Sequence, residues 1–262
     1  MRIAARALAV LGLSLPPPAV AEEPQACPGL VAFAPPASLT RVALREGEVG
    51  LTFVGHSTFL IETPRGVRIA TDYSDGTRPP VTPDVATMNK AHSTHFSTRP
   101  DPAIRHVLKG WNPAGGPAHH DLTVADVRIR NVSTNIRTWG GATDYDGNSI
   151  FVFETAQLCI AHLGHLHHTL TPDHLKKLGR IDVLLVPVDG GYTLETADMM
   201  EVLRQINAPL MVPMHFFGPS TLQRFLDSAR AHFPVEFSDK ASITLSRATL
   251  PSRPKVLVLP GH

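Results

Sequence analysis

The chain has 262 residues, a formal net charge of +1 and 14 histidines against two cysteines. That charge balance excludes a strongly basic surface, so neither nucleic acid nor an acidic membrane is expected as a partner. The length suffices for one large domain with a substantial core.

The N-terminus reads as a targeting segment: Arg2 and Arg6 are followed by apolar residues 7–15 and a small-residue site, Ala19-Val-Ala21, before Glu22. A cleaved signal peptide over 1–21 is expected, with a periplasmic or secreted mature protein; a retained anchor is the alternative. The apolar run is too short to span a bilayer, and no later stretch is long enough to do so. Residues 22–41, rich in Pro and Ala, form an extended lead-in to a domain over 42–262. Cys27 and Cys159 are open to two readings, a disulfide or, for Cys159 in an apolar run, a buried free thiol.

Strands are predicted at 51–54, 58–61 and 67–70, separated by Gly-His-Ser and Pro-Arg-Gly turns. Residues 73–120 are turn-rich and read as long loops with short elements between them. Further strands are predicted at 124–132, 149–153 and 157–161. Thr171-Pro-Asp opens a helix that Gly179 closes. Residues 181–188 are a nearly continuous apolar strand, as expected when both faces are covered. A helix at 194–206 carries Met199, Val202, Leu203 and Ile206 on one face. A strand at 210–214, a helix at 220–232 and two strands around Val235 and Ile243 close the chain. Strands first, then alternating strand and helix, make an α/β class with layered sheets.

Five of the 14 histidines (His162, His165, His167, His168 and His174) fall within 13 residues. Imidazole is the commonest metal ligand. His165, Asp189 and His215 each follow a predicted strand, and α/β folds collect ligands at the carboxyl ends of strands.

The motifs Gly55-His-Ser-Thr-Phe-Leu-Ile61, Thr71-Asp72, Ser93-Thr-His95, Ala161-His-Leu-Gly-His165, residues 182–191 and Val212-Pro-Met-His215 come in an order that resembles the metallo-β-lactamase superfamily. The resemblance is nearest to its ascorbate phosphate lactonase-like and phospholipase D-like branch. It implies an αββα four-layer sandwich, two mixed β-sheets flanked by helices. It also implies a metal site, two ions being usual, whose first motif is Thr-His-x-His-x-Asp-His.

Read from Thr94-His95, that motif leaves Ser97, Arg99 and Pro100 at the positions of a histidine, the aspartate and the last histidine. Asn135 or Thr134 replaces the next histidine, His165 replaces the bridging aspartate, and Asp72 and His215 are kept. The resemblance then implies one divalent ion on His95, His165 and His215, with His167 as a fourth ligand or a support. Zinc suits three imidazoles with an open position; iron, nickel and copper are alternatives.

Asp189 or Asp72 is expected to manage the proton, Asp189 alternatively binding substrate or capping the helix that follows, and Asp72 alternatively orienting a ligand or serving a turn. His56, Asn135, His168 and Tyr192 are expected to contact substrate or support the ligands, and Arg99 and Arg137 to meet an anionic group. His162 reads as structural and His119-His120 as solvated, while His92, His106, His174 and His232 carry no expected role. The function expected is a secreted hydrolase using a metal-bound hydroxide on a small-molecule ester, lactone, amide or phosphoester. The alternative is a non-catalytic periplasmic metal- or ligand-binding protein on a degenerate hydrolase scaffold.

Overall fold

Alternating burial along β1 (Glu48–Gly55) turns Val49, Leu51 and Phe53 inward, the period-two pattern of a strand with one face on a core. The computed structural model describes residues 44–138 and 140–261. The expected signal peptide and lead-in, Cys27 and Trp139 lie outside the described residues. Cys159 is disulfide-bonded rather than a free thiol.

The first sheet takes β1, β2 (Thr58–Glu62), β3 (Arg68–Ala70), β4 (Val85–Met88) and β5 (His106–Lys109), with β13 (Ser242–Ser246) on its far edge. Its order is β13-β1-β2-β3-β4-β5, and β3–β4 and β4–β5 pair parallel while the rest are antiparallel. The second sheet takes β6 (Asp121–Val124), β7 (Val127–Arg137), β8 (Thr143–Thr155), β9 (Leu158–His162), β10 (Val183–Pro187), β11 (Leu210–Met214), β12 (Val235–Phe237) and β14 (Lys255–Val258). Its order is β12-β14-β11-β10-β9-β8-β7-β6, antiparallel from β6 to β9 and parallel beyond.

The two mixed sheets share one core, in which Phe59 and Ile61 meet Phe151, Phe153 and Ile160, all fully buried. Each such side chain contributes roughly 1.5–3 kcal/mol on burial. Helices α1 (Pro172–Leu178), α2 (Thr196–Ile206) and α3 (Pro219–Ala229) connect or follow the parallel strands. Thr171 caps α1 through the His174 amide, and Gly179 ends it at φ 65°, as the sequence predicts. Ala70 and Ala86 face away from Ile69 and Val85. On that outer side the cover is loop, with Tyr73, Phe96, Ile104 and Trp111 packed there.

Two predicted elements need correction. Residues 124–132 are not one strand but a hairpin, because Ala125 at φ 50° turns the chain between β6 and β7. A third closing strand, β14, inserts between β11 and β12. Among the described residues no helix is long and apolar enough to cross a membrane. The arrangement places the ends of β9, β10 and β11 side by side, which positions the site.

Candidate metal centre

Six imidazoles converge at that end. His165 and His167 follow β9, His215 follows β11, His56 lies in the β1–β2 turn, and His92 and His95 lie in the loop after β4. The ligand atoms of His56, His92, His95 and His215 all lie within 4.8 Å of one another. His165 Nε2 is 2.9 Å from His92 Nε2, and His215 Nε2 is 3.0 Å from His95 Nε2.

The turns that make this possible are strained. His56, Asp72 and His215 have φ of 50°, 41° and 54°, in the left-handed region that costs a non-glycine residue about 1–3 kcal/mol. Hydrogen bonds hold them there. The His215 amide donates to the His56 carbonyl at 2.7 Å, and Thr58 Oγ1 donates to the Asp72 carbonyl at 3.0 Å. His162 is structural, as expected: its Nε2 meets the Ser57 carbonyl at 2.8 Å and its Nδ1 accepts the Gly164 amide at 3.1 Å.

Two buried carboxylates stand behind the rings. Asp72 Oδ2 is 2.5 Å from His95 Nδ1, and Asp72 Oδ1 accepts from Asn89 Nδ2 at 3.0 Å. Asp189 Oδ1 is 3.0 Å from His215 Nδ1, close but off the line of a well-aligned hydrogen bond. Ionised, a carboxylate can only accept, so each ring carries its proton on Nδ1 and leaves Nε2 bare. The bare nitrogens of His95 and His215 then face each other at 3.0 Å. Two lone pairs at that separation repel unless a cation lies between them. Two nitrogens on one zinc stand about 3.3 Å apart, so the donor set fits a divalent ion.

The titration tendencies agree. Burial first, then His215 and His92, lowers His56 to about 4. Burial and then Arg137 lower His167 to about 4. His92, His95, His162 and His165 are also lowered, each chiefly by burial. Neutral imidazoles are the form a metal takes. Burial pushes the Asp72 carboxyl up. Burial pushes Asp189 the same way, but the contact with His215, Thr193 and the Gly191 amide outweigh it and hold that carboxyl below its usual range.

A pH dependence follows for the metal-free protein. In the window from 6.5 down to about 4, the unfolded chain protonates histidines such as His56 and His167 that the folded chain keeps neutral. Stability is therefore present above 6.5 and lost as pH falls through that window. Asp72, raised by burial, works in the opposite sense but is one group against the several lowered histidines. A fall in Tm of roughly 5 °C or more between pH 7 and pH 5 is expected by thermal denaturation.

Asp189 also organises the loop after β10. Its Oδ2 accepts the Gly191 and Tyr192 amides at 2.9 and 2.5 Å, and its Oδ1 accepts Thr193 Oγ1 at 2.5 Å. Asp189→Ala leaves the buried Thr193 donors unsatisfied and His215 unheld. A loss of about 2–3 kcal/mol is expected by denaturant titration, with Asp189→Asn losing less.

The remaining expected residues sit around this centre. Tyr192 is exposed at the mouth, its ring 5.4 Å from that of Phe217. His168 accepts the Asn135 amide at 3.1 Å, and Asn135 Oδ1 accepts the Asp146 amide at 3.1 Å, so both hold the β7–β8 turn rather than the imidazole cluster. Arg99 is exposed and belongs to the 97–100 loop, whereas Arg137 lines a cavity of about 490 Å³ with Lys90, His92, His165, His167 and Tyr192.

The residue missed in the sequence is His92. Ser97 is buried outside the cluster, its Oγ donating to Asp75 Oδ1 at 2.6 Å, so the register that sets Ser97, Arg99 and Pro100 at lost ligand positions has an alternative. Counted from its last two histidines, Thr-His-x-His-x-Asp-His falls on His92 and His95. Lys90 then stands at the first histidine and Thr94 at the aspartate. The three-residue spacing of His92 and His95 was the available signal.

Residues 50–215 match the beta-lactamase superfamily domain. The chain is 28% identical over 180 residues to a UPF0173 metal-dependent hydrolase of Methanoculleus marisnigri, covering 63% of this chain and 80% of the relative. A crystal structure from Thermotoga maritima, of a protein assigned as a Zn-dependent hydrolase of the metallo-β-lactamase superfamily, aligns with a TM-score of 0.61 at 30% identity. That alignment covers 82% of this chain and 100% of the other. A diiron β-hydroxylase from Streptomyces venezuelae shares the fold at a TM-score of 0.52 and 9% identity, over 71% of this chain and 50% of that one. The match runs from β1 to the histidine after β11 and spans both sheets and the imidazole cluster: the chain belongs to the metallo-β-lactamase superfamily.

Proposed function

We propose that the chain is a metal-dependent hydrolase that holds one divalent ion on His92, His95 and His215. Its substrate is a small ester, lactone, amide or phosphoester bound in the adjacent cavity of about 490 Å³. The observation that carries this reading is the facing pair of bare nitrogens on His95 and His215, 3.0 Å apart, each ring backed by a buried carboxylate. Zinc suits an all-imidazole donor set, and iron, nickel and copper are the alternatives. Relatives described as metal-dependent hydrolases support the reaction class. On the same reading, the leader at residues 1–21 directs the protein to the periplasm or beyond.

When bound, the ion supplies a Lewis acid and lowers the pKa of water. The chain's own residues do the rest. Asp72 and Asp189 fix two rings, and His56 packs against His215 with ring centroids 4.2 Å apart. Arg137 Nη2 donates to the Gly191 carbonyl at 3.0 Å and holds the loop carrying Tyr192 over the cavity. Lys90, paired with Asp144 at 2.6 Å, closes the other wall.

The test is hydrolysis of an ester, lactone, amide and phosphoester panel by protein loaded with zinc, iron, nickel or copper. Turnover that disappears in His215→Ala is expected; no turnover with any metal contradicts the reading. Lys90 and Thr94, standing where a histidine and the aspartate belong, favour a second reading: a metal-binding protein without catalysis. Tight metal binding without turnover would select it.

A further inference from the structure

His165 stands in the cavity wall beside His92, and its hydrogen bonds run in one direction only. The Arg137 amide, fixed in β7, donates to His167 Nδ1 at 3.0 Å. An accepting nitrogen carries no proton, so the proton of His167 is on Nε2. That nitrogen is 2.5 Å from His165 Nδ1 and donates to it. The proton of His165 is therefore on Nε2, which donates to His92 Nε2 at 2.9 Å. His92 completes the chain by donating from Nδ1 to Thr94 Oγ1 at 2.7 Å, and Thr94 donates to His56 Nε2 at 3.0 Å.

The contrast with His95 and His215 is one of chemistry. Carboxylates stand behind those two rings and leave a bare Nε2 in front. A backbone N–H stands behind the His167–His165 pair and leaves a proton in front. His92, with its proton on Nδ1 toward Thr94, belongs with the first kind.

We propose that His165 is not a metal ligand but the cavity's fixed N–H donor to the reacting oxygen of the substrate, with His167 as the positioning residue that sets its tautomer. The assignment rests on the metal-centre reading above. When His92 gives its lone pair to an ion, the Nε2–H of His165 is released toward the cavity it lines. Such a donor stabilises charge growing on a carbonyl or phosphoryl oxygen without any proton being transferred. The backbone of His165 is held for this task by its amide bond to Asn148 Oδ1 at 2.8 Å.

The test uses the zinc-loaded wild-type protein labelled with ¹⁵N-histidine, reading which ring nitrogens carry protons. The expected spectrum shows a protonated Nε2 on His165 and proton-free Nε2 atoms on His92, His95 and His215. A proton-free, metal-shifted Nε2 on His165 overturns the assignment. A protein that takes up no zinc overturns the metal-centre reading and this assignment with it, and the zinc content reveals that case. As a second arm, His165→Gln should keep zinc affinity within about tenfold of wild type. His165→Leu should lower kcat by about 10²–10³ with KM little changed, and the glutamine amide N–H should restore part of that loss. Zinc loss in both variants as severe as in His95→Ala overturns it.

Discussion

His95→Ala should remove metal and turnover together, with zinc affinity falling by at least about 10³-fold, because one of three ligands disappears and its carboxylate partner is stranded. Asp72 is fully buried, and without the ring it keeps Asn89 and Ser57 as hydrogen-bond neighbours and the neutral His162 ring 4.0 Å away. Burial already pushes its carboxyl up, so it responds by taking a proton rather than by holding a lone charge. The stability loss should then stay near about 2–3 kcal/mol while metal binding is lost outright. Metal content by mass spectrometry and thermal denaturation separate the two effects. His119→Ala, at an exposed position outside the cluster, should change neither. A His95→Ala protein that keeps stoichiometric zinc would remove His95 from the ligand set.

Gly164→Ala should be nearly as damaging without touching any imidazole. Gly164 has φ 62°, and a Cβ there would run into Asn148 Oδ1 and lie 2.5 Å from Asn89 Nδ2. Neither asparagine can retreat. Asn89 accepts the Ser149 amide at 2.8 Å and donates to Asp72 at 3.0 Å. Asn148 donates to Thr134 Oγ1 at 2.8 Å and to the Leu163 carbonyl at 3.1 Å, and accepts the His165 amide at 2.8 Å. Displacing them costs about 3–5 kcal/mol, a drop in Tm of about 6–20 °C for a domain of this size. It also loosens Asp72 and the His165 backbone, so zinc affinity should fall with stability. At Gly191, where a Cβ meets nothing nearer than Asp189 Oδ2 at 3.8 Å, alanine should be tolerated. Equal stability for the two glycine variants would contradict the argument.

Most of the layered fold was legible because its signals are local. Continuous apolar runs such as β10, the Thr171–Gly179 caps of α1 and the turn residues around β2 each carry their own physical reason. The hairpin at Ala125 was not legible, because a non-glycine residue takes the left-handed turn and no Gly or Asn marks it. β14 was hidden behind Pro251 and Pro254, which punctuate the chain like a loop.

At the site, strand ends pointed to His165, Asp189 and His215, but not to what each faces. His92 was passed over because counting the motif from Thr94-His95 left it outside. Only the cluster geometry shows that His92 and His95 are partners. Which nitrogen of each ring carries a proton depends on groups far away in sequence, from Arg137 behind His167 to Asp72 behind His95. No spacing rule encodes that.

One divalent ion held on three imidazoles can be located by anomalous diffraction at the zinc edge from crystals of zinc-loaded protein. A single peak is expected about 2.0–2.1 Å from the Nε2 atoms of His92, His95 and His215. No peak at the cluster, or a peak held by other residues, would contradict it.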